Sequence, residues 1–307
     1  MSLRIPPEIE PDLRRAIRLE WWTLAWLASI VAVMGLTAGA SQAMRTAWIE
    51  DMLSMVPAIV FLVAVRIEHR PPTRLFPFGF QRANSIAFLI SAVALAAVGA
   101  MLLFESGMTL LKAEHATIPP VTLFGATFWS GWLMVAALLY SVVPPVILGH
   151  MKLPVARRLQ DKVLHTDSLM QKADWMTGVA GVGGVVGLGL GLWWADAAAA
   201  MLIALSILRD GVNALRIATA ELADGAPRAL DSDELAEDAQ ALIGLLRRHY
   251  PDADIRLRET GRFIHAQVVC AAADAPLDLK GAWPAEPERG WRLAQLSFVP
   301  PALDGRA

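Results

Sequence analysis

Six long apolar stretches limit what this chain can fold into more than any other feature. A helix that crosses the roughly 30 Å hydrocarbon core of a bilayer needs about 20 apolar residues. Six stretches meet that requirement, at residues 21–40, 47–65, 85–104, 123–148, 175–192 and 193–215. Only 18% of the 307 residues are charged, whereas soluble domains carry roughly a quarter. The sequence therefore predicts a six-helix, all-α transmembrane domain, and its net charge of −2 gives no indication of a nucleic-acid partner.

The lysines and arginines predict how these helices are oriented. Basic residues concentrate in the cytoplasmic loops of membrane proteins. Here they are abundant before the first stretch, between the second and third, and between the fourth and fifth, and they are sparse in the other connections. Both termini are therefore expected in the cytoplasm. The opening 20 residues lack the early apolar core of a signal peptide, and we expect a multi-pass protein of the bacterial inner (plasma) membrane.

Charged residues become frequent from Glu221 onward, which predicts a separate C-terminal domain. Residues 231–250 have the periodicity of an amphipathic helix. Residues 255–257 and 263–270 favour two strands around a turn at Gly261, and residues 293–299 favour a third strand after a loop rich in proline and glycine. The expected organisation is a cytosolic segment at 1–20, the transmembrane domain at 21–220 and a small α+β cytosolic domain at 221–307.

Carboxylates at membrane depth are the candidate functional residues, because charge there is costly. Glu50 and Asp51 lie near the start of the second stretch, and Asp167 and Asp174 lie near the start of the fifth. Asp167 and Asp174 are seven residues apart and share one helix face. Facing carboxylates can bind a hard divalent cation and exchange it for protons. Alternatively, Glu50 and Asp167 lie in water at the helix ends or pair with lysine and arginine.

Several motifs resemble those of the cation diffusion facilitator (cation efflux) transporters. The similar segments are TAWIEDMLSMVP, RPPTRLFPFGFQRANSIAFL, HTDSLMQKADWMTG, WWADAAAAMLIALSILRDGVNAL and ELADGAP, in the order and spacing that the family shows. The resemblance covers nearly the whole chain after Trp21. It implies a proton-coupled exporter of divalent metal that works as a homodimer with ferredoxin-like C-terminal domains. It implies no resident cofactor and no enzymatic activity.

The family's central metal site takes two side chains from the second helix and two from the fifth. Carried over position by position, that site falls on Leu53, Pro57, Met170 and Asp174. Asp174 alone offers an oxygen ligand, whereas Met170 offers a thioether that suits soft metals. The loop histidine of the family is Phe80 here, and the acid that follows it is Asn84. The sequence therefore departs from the family at the residues that define zinc transport.

Two interpretations follow from this departure. In the first, the site lies one turn closer to the cytoplasm. Its predicted ligands are then Asp174, Glu50, Asp167, Asp51 and Ser54. Loss of the histidines shifts the expected preference from zinc toward Mn²⁺, Fe²⁺ or Mg²⁺. In the second, the protein is a membrane scaffold that does not transport metal, or a carrier of another solute.

Overall fold

The computed structural model describes residues 6–37, 51–112, 120–123, 126–129, 131–189, 192, 194–270, 283–284 and 287–300. Its first two thirds are mainly helical, with α1 at Glu10–Thr37, α2 at Val56–Glu68, α3 at Arg82–Lys112, α4 at Gly131–Leu159, α5 at Lys162–Gly189 and α6 at Ala195–Leu222. Among the described residues, three stretches are long and apolar enough to cross a membrane, at Arg82–Lys112, Leu139–Leu159 and Ala197–Leu222. Long apolar helices are confirmed there, and the number of six membrane spans stays a prediction.

Several helix bounds differ from the predicted stretches. Residues 51–54 are helical, a turn follows at Met55, and α2 then begins. The fourth stretch is not helical throughout, because β1 (Pro120–Leu123) and β2 (Ala126–Trp129) form an antiparallel hairpin before α4. Helix α4 then continues through three prolines to Leu159. Helix α5 starts 13 residues earlier than predicted, so Asp167 and Asp174 lie well inside it.

Glycines allow α3 and α6 to pack backbone against backbone. A Cβ atom built on Gly99 would lie 2.6 Å from the backbone nitrogen of Leu208, and one on Gly211 would lie 2.6 Å from the backbone of Ala96. Such distances are shorter than any real Cβ contact, so the two backbones touch here without intervening side chains. An apolar core joins helices α1 to α6 around buried residues such as Phe61 and Phe88.

The C-terminal part contains one helix against a three-stranded sheet, which confirms the predicted α+β character. Its elements are α7 (Glu237–His249), β3 (Asp254–Thr260), β4 (Phe263–Val269), a 3₁₀ helix (Pro287–Arg292) and β5 (Leu293–Val299). The sheet order is β3–β4–β5, with β3 antiparallel and β5 parallel to β4. Helix α7 starts at Glu237, six residues after the predicted start, and its apolar face packs on the sheet through Ala239, Leu242 and Leu246.

The sheet lies against one end of the helices. Strand β3 packs on α3 and α6, and the turn between β3 and β4 reaches the last turn of α2 and the first turns of α3 and α5. We call this the domain-facing end, defined by Glu68, Arg82, Lys162 and Leu222 at the helix termini. The three-stranded sheet and the helices are thus in direct contact.

Candidate metal centre

Asp174 lies in the middle of α5, about 18 Å along the helix axis from Lys162 at 1.5 Å per residue. Its Oδ1 atom accepts a hydrogen bond of 2.8 Å from the Oγ atom of Ser54, which precedes α2. Its Oδ2 atom is buried and has no hydrogen-bond partner among the described residues. A buried carboxylate oxygen without a partner is unusual, since nearly all buried polar atoms are hydrogen-bonded. One oxygen of Asp174 is therefore free to bind a ligand.

Asp51 is the second carboxylate near this position. It lies one turn before Ser54 in the helical stretch 51–54, is partly exposed, and interacts electrostatically with Asp174. Within the described part of the chain, no three His, Cys, Asp or Glu side chains come together as a metal-binding group. The structure shows one carboxylate hydrogen-bonded to one hydroxyl, with the carboxylate of Asp51 close enough to interact electrostatically. The candidate ligand atoms of all three side chains are oxygen atoms.

Glu50 falls outside the described residues, so its assignment as a ligand stays a prediction. The structure places Asp167, another predicted ligand, in a different contact. Asp167 is fully buried, and its Oδ2 atom contacts the Nζ atom of Lys152 in α4. Lys152 also donates a 3.0 Å hydrogen bond to Glu20 in α1. The assignment of Asp167 to a metal site is therefore untested, and the ion pair corresponds to the alternative given by the sequence.

Sequence reasoning missed Glu20 and Lys152 as partners of Asp167. All three side chains are fully buried, and they bring two carboxylates to one ammonium group. The signal in the sequence is weak. Glu20 precedes the Trp21–Trp22 pair and reads as part of a solvated segment, and Lys152 reads as one of several orienting cations. Only the packing of α1 against α4 brings them together.

Three of the four ligand positions carried over from the family lie in apolar surroundings. Met170 is fully buried in a cluster with Leu95, Val98 and Ile207, and Leu53 packs against that cluster. Pro57 is buried at the start of α2. The structure therefore gives these positions a packing role. We call the apolar side chains of Met170, Leu53 and their cluster, which lie beside Asp174, the apolar wall.

Comparison with known proteins bears on this arrangement. The chain is 22% identical to the manganese efflux system protein MneS of Bacillus subtilis over 229 residues, which cover 75% of this chain and 73% of that protein. It is 24% identical to a probable cation efflux system protein of Mycobacterium tuberculosis over 274 residues, 87% of this chain and 73% of that protein. It is 27% identical to the zinc transporter ZitB of Escherichia coli over 192 residues, 60% of this chain and 55% of that protein.

The match to a protein family covers the transmembrane part of the chain. Residues 22–223 match the cation efflux transmembrane domain, and they contain every helix from α2 to α6, most of α1, and the Asp174–Ser54 pair. The match begins one residue after the start of the predicted transmembrane domain, at residue 21, and ends three residues after its end, at residue 220. Its last residue directly follows the end of α6. The chain is therefore a membrane protein that belongs to the cation diffusion facilitator family of cation efflux proteins, whose members are transporters and not enzymes.

Proposed function

We propose that this protein exports a divalent metal cation from the cytoplasm in exchange for protons, and that the cation binds Asp174, Asp51 and Ser54. The observation that carries the proposal is the buried Oδ2 atom of Asp174, which has no hydrogen-bond partner in the described structure. The group that contacts the other oxygen is a neutral hydroxyl. A carboxylate kept in this condition at the start of a predicted membrane span has a functional role by default.

The donor atoms favour Mn²⁺ as the cargo. Carboxylate and hydroxyl oxygens suit Mg²⁺, Ca²⁺ and Mn²⁺, whereas imidazole and thiolate ligands favour zinc. The family's histidine position in the loop is Phe80 in this chain, and Leu53 and Pro57 replace ligands with apolar side chains. Similarity to a protein named as a manganese efflux system supports the same assignment. Glu50 remains a predicted further ligand.

The same proposal assigns Asp167 a supporting role. Its ion pair with Lys152 and the contact of Lys152 with Glu20 hold α5, α4 and α1 together. Asp167 also interacts electrostatically with Asp174, seven residues further along α5. Binding of a cation at Asp167 would require Lys152 to leave a fully buried position. We therefore centre the metal site on Asp174 and treat Asp167 as part of its electrostatic surroundings.

We further propose six membrane spans within residues 21–220, with both termini in the cytoplasm and residues 221–307 forming a ferredoxin-like cytosolic domain. The distribution of lysine and arginine supports this orientation. In it, the domain-facing end is cytoplasmic and the β1–β2 hairpin lies on the opposite side. The family resemblance supports a homodimer in the inner membrane. Divalent metal ion, protons and the lipid bilayer are the remaining partners.

A flux screen in proteoliposomes tests the function. The full-length protein would be reconstituted and assayed with Mn²⁺, Fe²⁺, Co²⁺, Zn²⁺ and Mg²⁺ at two proton gradients. We expect Mn²⁺ flux to exceed Zn²⁺ flux, to rise with the opposing proton gradient, and to be accompanied by measurable proton counterflow. Zn²⁺ flux above Mn²⁺ flux would contradict the cargo, and flux that ignores the proton gradient would contradict the exchange.

The apolar side chains at Leu53, Pro57 and Met170 favour a second candidate, a scaffold or a carrier of another solute. That candidate predicts no flux with any of the five cations and no heat of binding in calorimetry. Calorimetric Mn²⁺ binding that is lost in Asp174→Asn would exclude it, even in a preparation with slow transport.

A further inference from the structure

The turn between β3 and β4 inserts its backbone between the helices at the domain-facing end. Gly261 has a φ of +59°, in the left-handed region that favours glycine. Its backbone N–H group donates to the Oγ atom of Ser85 at 2.9 Å and to the Oε1 atom of Glu221 at 3.1 Å. A Cβ atom at this position would lie 2.8 Å from the carbonyl oxygen of Gln81. The turn therefore fits against the start of α3 only because residue 261 has no side chain.

The next residue, Arg262, joins two helix termini. Its side chain is fully buried, its Nε atom donates to the Oδ2 atom of Asp161 at 2.6 Å, and its guanidinium also donates to the Oε2 atom of Glu68 at 2.7 Å. Asp161 caps the start of α5, since its Oδ1 atom accepts a 2.9 Å hydrogen bond from the N–H group of Leu164. Glu68 is the last residue of α2. One cation thus bridges the end of α2 and the beginning of α5.

The charge of Arg262 is secure in this position. Burial by itself would lower the pKa of the guanidinium, but the carboxylates of Asp161 and Glu68 raise that pKa above its ordinary value. Hydrogen bonds between ionised groups are roughly twice as strong as those between neutral ones. The guanidinium of Arg262 therefore stays positively charged. Burial raises the pKa of Glu68 above its ordinary value, so acid protonates this carboxylate more readily than an exposed glutamate.

Residues of the C-terminal domain also fix the position of Arg262. Arg292, at the end of the 3₁₀ helix, donates its Nε–H group to the carbonyl oxygen of Arg262 at 3.2 Å and its terminal nitrogens to Asp238 and Glu259 at 2.8 and 3.0 Å. Glu259 also contacts Lys162 at the start of α5. All of these side chains are almost fully buried. Arg262 is therefore fixed to the sheet by buried hydrogen bonds and ion pairs.

We propose that Arg262 is a positioning residue that clamps the ends of α2 and α5 together and closes the metal centre on its domain-facing side. This inference rests on the proposed function, because Ser54 and Asp51 lie immediately before α2 and Asp174 lies on α5. Separating the clamped ends would open a route between these helices to the metal centre. Release of Asp161 and Glu68 is then a step of each transport cycle, and the sheet controls that step.

Two variants loosen the clamp by different means, and each has a matched control. Arg262→Gln removes the charge, and its control, Arg256→Gln, removes an exposed arginine of β3 whose partner is the exposed Asp254. Gly261→Ala leaves every charge in place and forces the turn away from Gln81. Its control, Gly244→Ala in α7, adds a Cβ atom that meets nothing within 4 Å. A conservative variant, Arg262→Lys, retains a cation that can reach one carboxylate.

Hydrogen–deuterium exchange of the full-length protein in nanodiscs measures how stably the clamp holds the two helix ends, and it does not depend on transport. We expect residues 61–68 and 162–168 to exchange about tenfold faster in Arg262→Gln and Gly261→Ala, the shift that follows from losing one hydrogen bond between charged groups. Exchange in residues 91–98 of α3 should not change, and neither control should differ from the wild type. Uniformly faster exchange across the protein would overturn the clamp, since it would show a general loss of stability.

Transport of Mn²⁺ provides a second readout. A loosened clamp leaves the metal site open to the cytoplasm for a larger part of the transport cycle, so the KM for cytoplasmic Mn²⁺ should fall. The maximal transport rate should also fall, by about tenfold, the same factor as the expected rise in hydrogen exchange. Arg262→Lys should lie between Arg262→Gln and the wild type in both readouts. Unchanged exchange at both helix ends in Arg262→Gln and Gly261→Ala would overturn the inference. A wild-type protein without metal flux would instead contradict the proposed function, and the exchange experiment would still decide whether the clamp exists.

Discussion

Asp174 differs from the other buried carboxylates of the helices in the group that contacts it. Asp167 contacts Lys152, Glu221 contacts Lys162, and Asp161 contacts Arg262. The hydrogen-bond partner of Asp174 is the hydroxyl of Ser54, which carries no charge. A buried anion is expensive without a counter-charge. Asp174 therefore has the strongest reason of these carboxylates to bind a cation or a proton that comes from outside the chain.

Replacement of Asp174 by asparagine tests this residue directly. Asparagine keeps the size of the side chain and an oxygen that can accept the hydrogen bond from Ser54, but it removes the charge. We expect a loss of more than about 100-fold in Mn²⁺ affinity by calorimetry, since even outer-shell partners of a metal cost 10–100-fold. Asp254→Asn, at an exposed position on β3, should bind normally. Normal affinity in Asp174→Asn would remove Asp174 from the site.

Substitution of Ser54 should lower Mn²⁺ affinity less than substitution of Asp174. Ser54→Ala deletes the hydroxyl that contacts Oδ1 of Asp174, and we expect Mn²⁺ affinity to fall about tenfold, as for a hydrogen bond to a charged group. Ser106→Ala is the matched control, because Ser106 is also buried in an apolar helix and donates only to the carbonyl oxygen of Leu102 one turn back. Equal effects of the two substitutions would show that Ser54 acts through helix stability alone.

Sequence reasoning could find Asp174 because a carboxylate deep in an apolar stretch is rare. It could not find which other groups neutralise the remaining carboxylates. Asp167 lies 15 residues from Lys152, and Lys152 lies 132 residues from Glu20. Helical spacing relates residues within a few turns of one helix, whereas these contacts depend on how α1, α4 and α5 pack. The sequence therefore left open whether Asp167 binds a metal ion or instead lies in water or pairs with a lysine or arginine.

At the level of elements, the contact between α3 and α6 makes a prediction about stability. Gly211→Ala would place a Cβ atom 2.6 Å from the backbone of Ala96, and the two helices would have to separate. We expect a cost of about 1–3 kcal/mol, as for other overpacked cores, seen as a lower melting temperature of the purified protein. Gly183→Ala in α5 is the control, because its new Cβ atom meets nothing within 4 Å.

The expected result for the control has the opposite sign. Alanine is a better helix former than glycine by about 0.5–1 kcal/mol, so Gly183→Ala should leave the melting temperature unchanged or raise it. A lower melting temperature in Gly183→Ala, or an unchanged melting temperature in Gly211→Ala, would contradict the packing described for α3 and α6. The pair therefore separates helix propensity from helix packing.

These glycines also show the limits of sequence patterns. Helix α5 contains six glycines between Gly178 and Gly189, a pattern typical of close helix packing. A Cβ atom on Gly178 would lie 2.3 Å from a side-chain atom of Val142, whereas Gly183 in the same run faces open space. Gly99 and Gly211, where the backbones of α3 and α6 meet, each stand alone in the sequence. The β1–β2 hairpin was missed for a related reason. Its residues are apolar enough to extend the predicted fourth span, and hydropathy does not distinguish a strand from the beginning of a helix.

For the whole molecule, the proposed orientation is testable with the chain's single cysteine. Cys270 follows β4 in the C-terminal part and is partly exposed. A membrane-impermeant maleimide should label it in inside-out vesicles and not in right-side-out vesicles, because the proposed orientation puts this domain in the cytoplasm. Cys270→Ser should abolish the label in inside-out vesicles. Labelling of right-side-out vesicles would reverse the orientation and the direction of transport.

The sequence predicted the helices and the C-terminal sheet better than it predicted the contact between them. Periodicity and turn residues were sufficient for the C-terminal sheet, including a third strand at 293–299 with the bounds that the structure shows. Nothing local to Arg262 indicates its partners, which lie 101 and 194 residues away at Asp161 and Glu68. An arginine beside a turn glycine usually reads as solvated. Its burial follows from docking of the sheet against the helices, which depends on the whole fold.

The apolar wall beside Asp174 has a consequence for which ions can enter. The side chains of Met170, Leu53 and the rest of their apolar cluster offer no oxygen atoms to replace the water that surrounds a dissolved cation. An ion that reaches Asp174 must therefore shed part of its hydration shell before it gains its new ligands. Mg²⁺ loses water reluctantly. We expect this dehydration step to discriminate against Mg²⁺, although the same carboxylates would coordinate it once it had entered.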